Sequence, residues 1–528
     1  MAIFMKAKKR GDIAFLRVPW YITCPAKPAY YANIFDAKVW ISIFTDSRQA
    51  GAIWAVTGFS REPRSIPIKI TLNSQLNRGI MAKKTKNIRL LSILAMFAVE
   101  VLACLASQTV RAAVQSVQVG GCKGSQPNFS TIQAAVNAAG AGATVSVCPG
   151  IYAEQITIGK SLTLLGVSKG NSDNIVIVPP PGGMLQNAVD PAPGATNPKI
   201  AAQIFAHGPA TVTLKNIIID GANNGLSGCG APLLVGIYFQ NVAGSITGAD
   251  IINEIMDSPA DHVCDSGLGI YIEANTGPTV AVTISAVNNF QKNGITASGY
   301  GDGSAGPVMN IYSDNVAGKG PTTDALQNGI QIGYGATGRV NQNIVSELIW
   351  NSGTSGDPRA GATAILVIAS NGVTVNSNRI ASAQFAIAVV SDPVYGNADG
   401  NFVTVNYINN TRLFDAIDIC SNNNTVQNND EYNSTQSGIH VDSTCTEGPG
   451  GGNSGNGNLV TNNNNNGACA GILAGFGTGN TLNPQILTVN VNNLILSGDV
   501  CSAPLASTDP SAVRPDYPGG PGHTVPFR

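Results

Sequence analysis

The sequence predicts an all-β solenoid, and three observations predict it. A small residue followed by an alternating apolar strand recurs nine times, at Gly236, Gly269, Gly294, Gly329, Ala364, Ala386, Ala416, Gly438 and Gly471. Successive copies lie 33, 25, 35, 35, 22, 30, 22 and 33 residues apart, a minimal coil of about 22 residues enlarged by loops of varying length. Short β-branched segments bounded by Asn and Gly run between the copies, such as Gly372 to Asn376, Phe402 to Asn406, Asn424 to Asn428 and Asn458 to Asn462.

The chain has 528 residues, of which only 12% are charged, and no stretch reaches the roughly 18 uninterrupted apolar residues of a membrane span. Its formal net charge of −1 averages two unlike parts. Residues 1 to 112 carry 17 Lys+Arg and 5 Asp+Glu, so 113 to 528 hold the remaining 13 basic and 26 acidic residues and stand near −13. Such a surface repels nucleic acid, and it repels a polyanion unless a cation intervenes.

From Met81 the sequence reads as a secretory signal, 81–112. Lys83, Lys84, Lys86 and Arg89 form a basic stretch, Leu90 to Val99 an apolar one, and Val110-Arg111-Ala112 a small-residue cleavage site. A competing site at Cys104 resembles a bacterial lipobox. Residues 1–80 stand ahead of a signal that belongs at an N-terminus, and are read as a doubtful extension from a start called too early. The expected location is therefore secreted, periplasmic or at the cell surface. Export leaves eight cysteines, Cys122, Cys148, Cys229, Cys264, Cys420, Cys445, Cys469 and Cys501, an even set for an oxidising compartment. Their spacing predicts Cys122–Cys148, Cys229–Cys264, Cys420–Cys445 and Cys469–Cys501. No pair has CxxC spacing and histidine is scarce (His207, His262, His440, His523), which makes a zinc site a poor competitor.

At the start of the mature chain, Ser130-Thr131-Ile132-Gln133 reads as a capping box opening a short helix that presents Ile132, Val136 and Ala139 on one face and ends at Gly140. Such a helix caps the open end of the first coil, whose bare strand edges otherwise invite aggregation. Asn at the corners tolerates left-handed turns, and stacked Asn side chains can hydrogen-bond from coil to coil.

Phe129 to Val136, then Thr144 to Val147, Pro149 to Glu154, Ile156 to Ile158 and Leu162 to Gly166 resemble the opening of pectinesterase-type and other pectin-lyase-like proteins. The resemblance implies a right-handed parallel β-helix over 113–500, followed by a Pro/Gly-rich loose tail at 501–528. It carries over no catalytic residue. The pectinesterase Gln-Asp-Thr and Gly-Arg-Pro-Trp segments, the polygalacturonase Asn-Thr-Asp, Asp-Asp and Gly-His-Gly segments and the pectate-lyase Arg-Xaa-Pro-Xaa-Xaa-Arg mark have no match here.

In each copy the second and fourth positions are apolar and are expected to build the core, while the third and fifth are expected to face solvent in columns about 4.8 Å apart per step. Two polar patches result. Tyr238, Gln240, Tyr271 and Glu273 are expected to bind substrate, aromatic faces stacking on sugar rings and polar groups meeting hydroxyls. Asp418, His440 and Asp442 are the catalytic candidates, with Asp418 to Asp442 a diagonal on the order of 8 Å, the separation of an inverting glycosidase. The competing reading is a solvated polar strand held by Cys420–Cys445. Asp257, Asp261, His262 and Asp265 form an acidic loop, a weaker alternative for Ca²⁺, and no other cofactor is implied. Two functions stay open. One is an exported protein that binds or processes a neutral or cation-bridged polysaccharide or envelope glycan. The other is a non-catalytic structural, adhesive or metal-handling solenoid.

Overall fold

The computed structural model describes residues 116–168, 174–350, 361–441 and 455–483, apart from 194, 196, 393, 413, 466, 468, 469 and 475–477, together with the strands at Lys8–Lys9, Ala14–Phe15, Val39–Thr45, Ala52–Phe59 and Ile495–Ser497. The chain divides into two compact units, Met1–Ala112 and Ala113–Arg528. In the first, Lys8–Lys9 pairs antiparallel with Ala14–Phe15, and Val39–Thr45 with Ala52–Phe59.

The second unit is a right-handed parallel β-helix. Its strands run in turn to three long sheets, so the coil strands pair with strands one coil away rather than with their chain neighbours; the exceptions are Val117–Val119 with Asn128–Phe129 and Ala188–Val189 with Lys199–His207. The first sheet runs from Asn128–Phe129, beside Val117–Val119, to Thr481–Asn483, the second from Gly150–Ala153 to Asp430–Tyr432, and the third carries the nine repeat strands. One continuous apolar core fills the coil. The predicted inward residues Ile237, Phe239, Ile270, Ile272, Ile295, Ile330, Ile365, Ile387, Ile417, Ile439 and Ile472 all belong to it, each fully shielded from water.

The register predicted for the third-position column holds throughout. Tyr238 pairs with Tyr271, then Thr296, Gln331, Leu366, Ala388, Asp418, His440 and Leu473 follow in order. Its predicted exposure does not. Tyr238, Tyr271, Thr296 and Ala388 are fully buried, as are Glu273, Ser298 and Ile368 of the fifth column. Both faces of this sheet are covered, the usual condition of a parallel sheet, and runs such as Ala364-Ile365-Leu366-Val367-Ile368 carry that signature.

Corners follow a fixed chemistry. Between the first and second sheets, residues 216, 248, 284, 313, 342, 377, 405, 428 and 462 all adopt positive φ, close to +55° to +60°, in the left-handed region. The residue after each of the later ones joins a buried ladder in which Asn343, Asn378, Asn406, Asn429 and Asn463 pass a side-chain amide hydrogen bond of 2.9 to 3.0 Å from coil to coil. Each Oδ1 also accepts the main-chain N–H of the preceding coil's ladder residue, so the corner amides that no sheet pairs are satisfied.

The capping helix spans Ile132–Ala138 and buries Ile132, Ala135 and Val136. Its N-cap is Thr131, not Ser130, with Oγ1 accepting from Ala134 N at 3.2 Å. The reciprocal half of the expected box is supplied from outside the helix. Glu154 in the first coil accepts from Ile132 N at 2.8 Å and Gln133 N at 2.9 Å, while Gln133 turns to Thr157 and Asn137.

Cys122 is bonded to Cys148 and Cys229 to Cys264, as the spacing predicts. Cys420 is also disulfide-bonded. Cys445, Cys469 and Cys501 lie outside the described residues. No described helix is long and apolar enough to cross a membrane.

Candidate functional site

On the third sheet the strand bends at its small first residue. The pairing steps over that residue in successive coils, and a Cβ built on Gly236, Gly269, Gly294 or Gly329 would strike core side chains at 3.0 Å or less. The bend turns position zero, the residue before it, onto the same outer face as position three. Asn293 shows the result, donating from Nδ2 to Thr296 Oγ1 three residues on and to Gln331 Oε1 in the next coil, both at 3.0 Å.

In the coil of Ala416 the two outer positions are Asp415 and Asp418, and in the next coil they are Ser437 and His440. Asp415, Asp418 and His440 converge, each offering one oxygen or nitrogen within 4.8 Å of the others. His440 Nδ1 stands 3.2 Å from Asp415 Oδ2 and 3.9 Å from Asp418 Oδ1. Asp415 Oδ1 accepts from Ser437 N at 2.9 Å and from the Ser437 hydroxyl in a short bond. The tautomer in which Nδ1–H donates to Asp415 places the ring lone pair on Nε2.

The cluster is recessed: Asp415 is fully buried, Asp418 is 4% exposed and His440 6%. Phe385 and Phe414, stacked with ring centroids 4.5 Å apart, stand beside it, and the disulfide-bonded Sγ of Cys420 lies 3.5 Å from both Asp418 oxygens. Two carboxyl groups and an imidazole in hydrogen-bonding reach can exchange a proton with a bound hydroxyl or water, or ligate a cation.

Asp418 and His440 are thus neighbours, as the column predicts, whereas Asp442 lies outside the described residues. Asp415 is the partner that strict two-residue alternation misses, because alternation points position zero inward. The signal available in the sequence is the small residue at position one, which lets the strand bend.

The second predicted patch is assembled but not open. Phe205, Tyr238 and Tyr271 form a stacked ladder with ring centroids 5.4 and 5.0 Å apart. The Tyr238 hydroxyl donates to Glu273 Oε2 at 2.5 Å, and Gln240 Nε2 donates to Tyr238 Oη and to Val189 O. The insertion around Ala188–Val189, paired antiparallel to Lys199–His207, lies over this face and brings the buried Asp190 to it. Desolvation, reinforced by Asp190, raises the Glu273 carboxyl well above the ordinary range. The expectation of a solvent-facing sugar platform is corrected accordingly. A 20-residue loop in sequence becomes a lid in three dimensions.

Among the described residues, the carboxylates of the acidic loop do not converge as a group of three. Asp257 accepts from Asn224 N and Gly225 N, Asp261 from Gly228 N, and Asp265 pairs with Lys292 at 2.8 Å. Each carboxylate ties down a different part of the neighbouring loop, and His262 is held by Met256 O and Asp324.

No family model and no curated protein sequence matches the chain. Among solved structures it is similar to the periplasmic alginate epimerase AlgG, at 11% identity over 67% of this chain and 76% of that one, with a TM-score of 0.34. It is also similar to a variant of DFA-IIIase from Arthrobacter chlorophenolicus A6 in complex with DFA-III, at 13% identity over 73% and 92%, TM-score 0.37. A third is ORF18 of Geobacillus virus E2, at 16% identity over 75% and 64%, TM-score 0.28. The assignment of the chain as a parallel β-helix rests on its own strand pairing.

Proposed function

We propose that the chain is an exported β-helix protein that binds or processes a polysaccharide, neutral or cation-bridged, on the outer face of its third sheet. The observation that carries this reading is the convergence of Asp415, Asp418 and His440 in adjacent coils. Asp418 and His440 are the working pair, and Asp415, held by Ser437, orients the ring. The charge near −13 over residues 113–528 disfavours a bare polyanion, and two disulfides within the solenoid suit an oxidising compartment. A catalytic role as glycoside hydrolase or polysaccharide lyase fits these groups, general acid or base catalysis alone being worth about 10² to 10⁴ in rate.

The test is incubation with a panel of neutral and Ca²⁺-loaded polysaccharides, reading products and binding. Asp418→Asn is expected to abolish turnover, or to weaken binding at least tenfold, with the fold intact. Ile439→Ala on the neighbouring strand is expected to cost roughly 2 to 5 kcal/mol of stability and to act only through folding. A polysaccharide whose processing is unchanged in Asp418→Asn and His440→Ala would place the site elsewhere and overturn the assignment.

A further inference from the structure

We infer that the outer face of the second sheet is a self-association surface, on which two copies of the chain pair antiparallel about a two-fold axis at Tyr407. This face lies on a different sheet from Asp415, Asp418 and His440, so the pairing stands or falls independently of the polysaccharide reading. Strand alternation turns Arg379 and Ala381, then Tyr407 and Asn409, then Asp430 and Tyr432 outward in three successive coils, while Ile380, Ile408 and Glu431 point inward and are buried. The register sets Arg379, Tyr407 and Asp430 in one column and Ala381, Asn409 and Tyr432 in the next. Arg379 and Asp430 are exposed, and Tyr407 between them is 40% exposed. Among the described residues neither Arg379 nor Asp430 makes an ion pair or a side-chain hydrogen bond.

A column that reads cation, ring, anion is its own complement. A two-fold axis lying in the interface, parallel to the strands and level with Tyr407, reverses the direction of the coils. It brings Arg379 opposite Asp430 of the partner subunit, and Asp430 opposite the partner's Arg379, with the two Tyr407 rings meeting at the axis. The same operation sets the small side chain of Ala381 opposite the partner's Tyr432, so the second column matches in size where the first matches in charge. A parallel pairing would instead put Arg379 against Arg379, Asp430 against Asp430 and ring against ring, and like charges face to face exclude it.

The side chains are already in position. The Arg379 guanidinium carbon lies 5.6 Å from the centre of the Tyr407 ring, and the Tyr407 and Tyr432 rings stand 5.5 Å apart. Mutual packing of this kind lowers the entropy lost on docking, and Tyr and Arg are the residues on which interface energy concentrates. Val405, at the corner beside them, is 51% exposed and extends the apolar rim. On the far side of Asp430 the described face reaches one coil further, to the bridge at Asn464, so about five coils of each copy overlap. Five coils of about 4.8 Å by a strand width of roughly 15 Å cover about 400 Å² per chain, the small end for a specific contact. The dimer is therefore weak, with a dissociation constant on the order of 10 to 100 µM.

The experiment is sedimentation equilibrium of the full chain in about 50 mM salt, from about 1 to 300 µM. Expected is a reversible monomer–dimer equilibrium that weakens as salt is raised. Arg379→Asp and Asp430→Arg each set like charges opposite one another twice across the axis, and each is expected to weaken the dimer at least tenfold. Joined in one chain, the two substitutions are expected to restore it to within about threefold of the parent. The two single variants, mixed, are expected to pair with each other more tightly than either does with itself. Arg339→Asp, at an exposed position of the first sheet, is expected to change nothing. Circular dichroism shows whether each variant folds, and Arg379→Gln or Asp430→Asn, each expected to weaken the dimer at least threefold, stands in for one that does not. A chain that stays monomeric at every concentration overturns the proposal. So does a dimer that neither single reversal weakens, or one that the double reversal fails to restore.

Discussion

Asp314 occupies the ladder position that Asn343, Asn378, Asn406, Asn429 and Asn463 fill in later coils, and replacing it by Asn tests the electrostatics of that corner. Its side chain accepts from Ser285 N at 2.7 Å and Tyr312 N at 3.1 Å, and its own N–H donates to Asn343 Oδ1. Burial outweighs both bonds and pushes its carboxyl from 3.8 up to about 7. A carboxyl raised on folding binds more protons folded than unfolded, so its contribution is most favourable below pH 3.8 and is lost as pH rises toward about 7. Some three pH units at about 1.4 kcal/mol each put the cost of ionising it near 4 kcal/mol above pH 7. Asp314→Asn removes that cost and keeps Oδ1 as acceptor for Ser285, but forfeits the bond from Tyr312, worth about 1 to 2 kcal/mol. The variant is therefore expected to be about 2 to 3 kcal/mol more stable at pH 8, with an advantage that shrinks by roughly 2.5 kcal/mol on going down to pH 5. Calorimetric unfolding of both proteins across pH 5 to 8 is the assay. A stability difference that does not change with pH would refute the argument, because it would mean that Asp314 does not change its ionisation over that range.

Val405 and Ile284 are β-branched residues at left-handed corners, with φ of 60° and 53°, and both are well exposed. Val405→Asn is expected to raise stability by about 1 kcal/mol in denaturant unfolding, since Asn adopts this conformation at less cost. Glu154→Ala is expected to cost about 1 to 2 kcal/mol and to speed amide exchange in Ile132–Ala138 first, as two helix N–H groups lose their acceptor.

The cap shows how a local signal can be right in kind and wrong in detail. Thr131 and the apolar face of the helix are visible in seven residues of sequence, but the carboxylate that completes the cap comes from Glu154, 22 residues away in the first coil. A capping box is a local device, and the coil supplied a competing acceptor from outside the segment.

The sequence by itself determined the coil, its register and two disulfide clamps, Cys122–Cys148 and Cys229–Cys264. Gly-Ile repeats, inward apolar positions and corner Asn are all properties of segments shorter than one coil, and stacking identical segments leaves only one register that keeps every apolar residue inside. The order of the column from Tyr238 to Leu473, and with it the meeting of Asp418 and His440, follows from that alone. Only the tertiary structure decided what covers the outer face. The loop around Ala188–Val189 lies over Tyr238 and Tyr271, and the bend at position one brings Asp415 beside Asp418. Loop placement is set by contacts between distant parts of the chain and leaves no period to read; the bend does leave one, the small residue at position one, but which side chains it turns together depends on how closely adjacent strands and sheets approach.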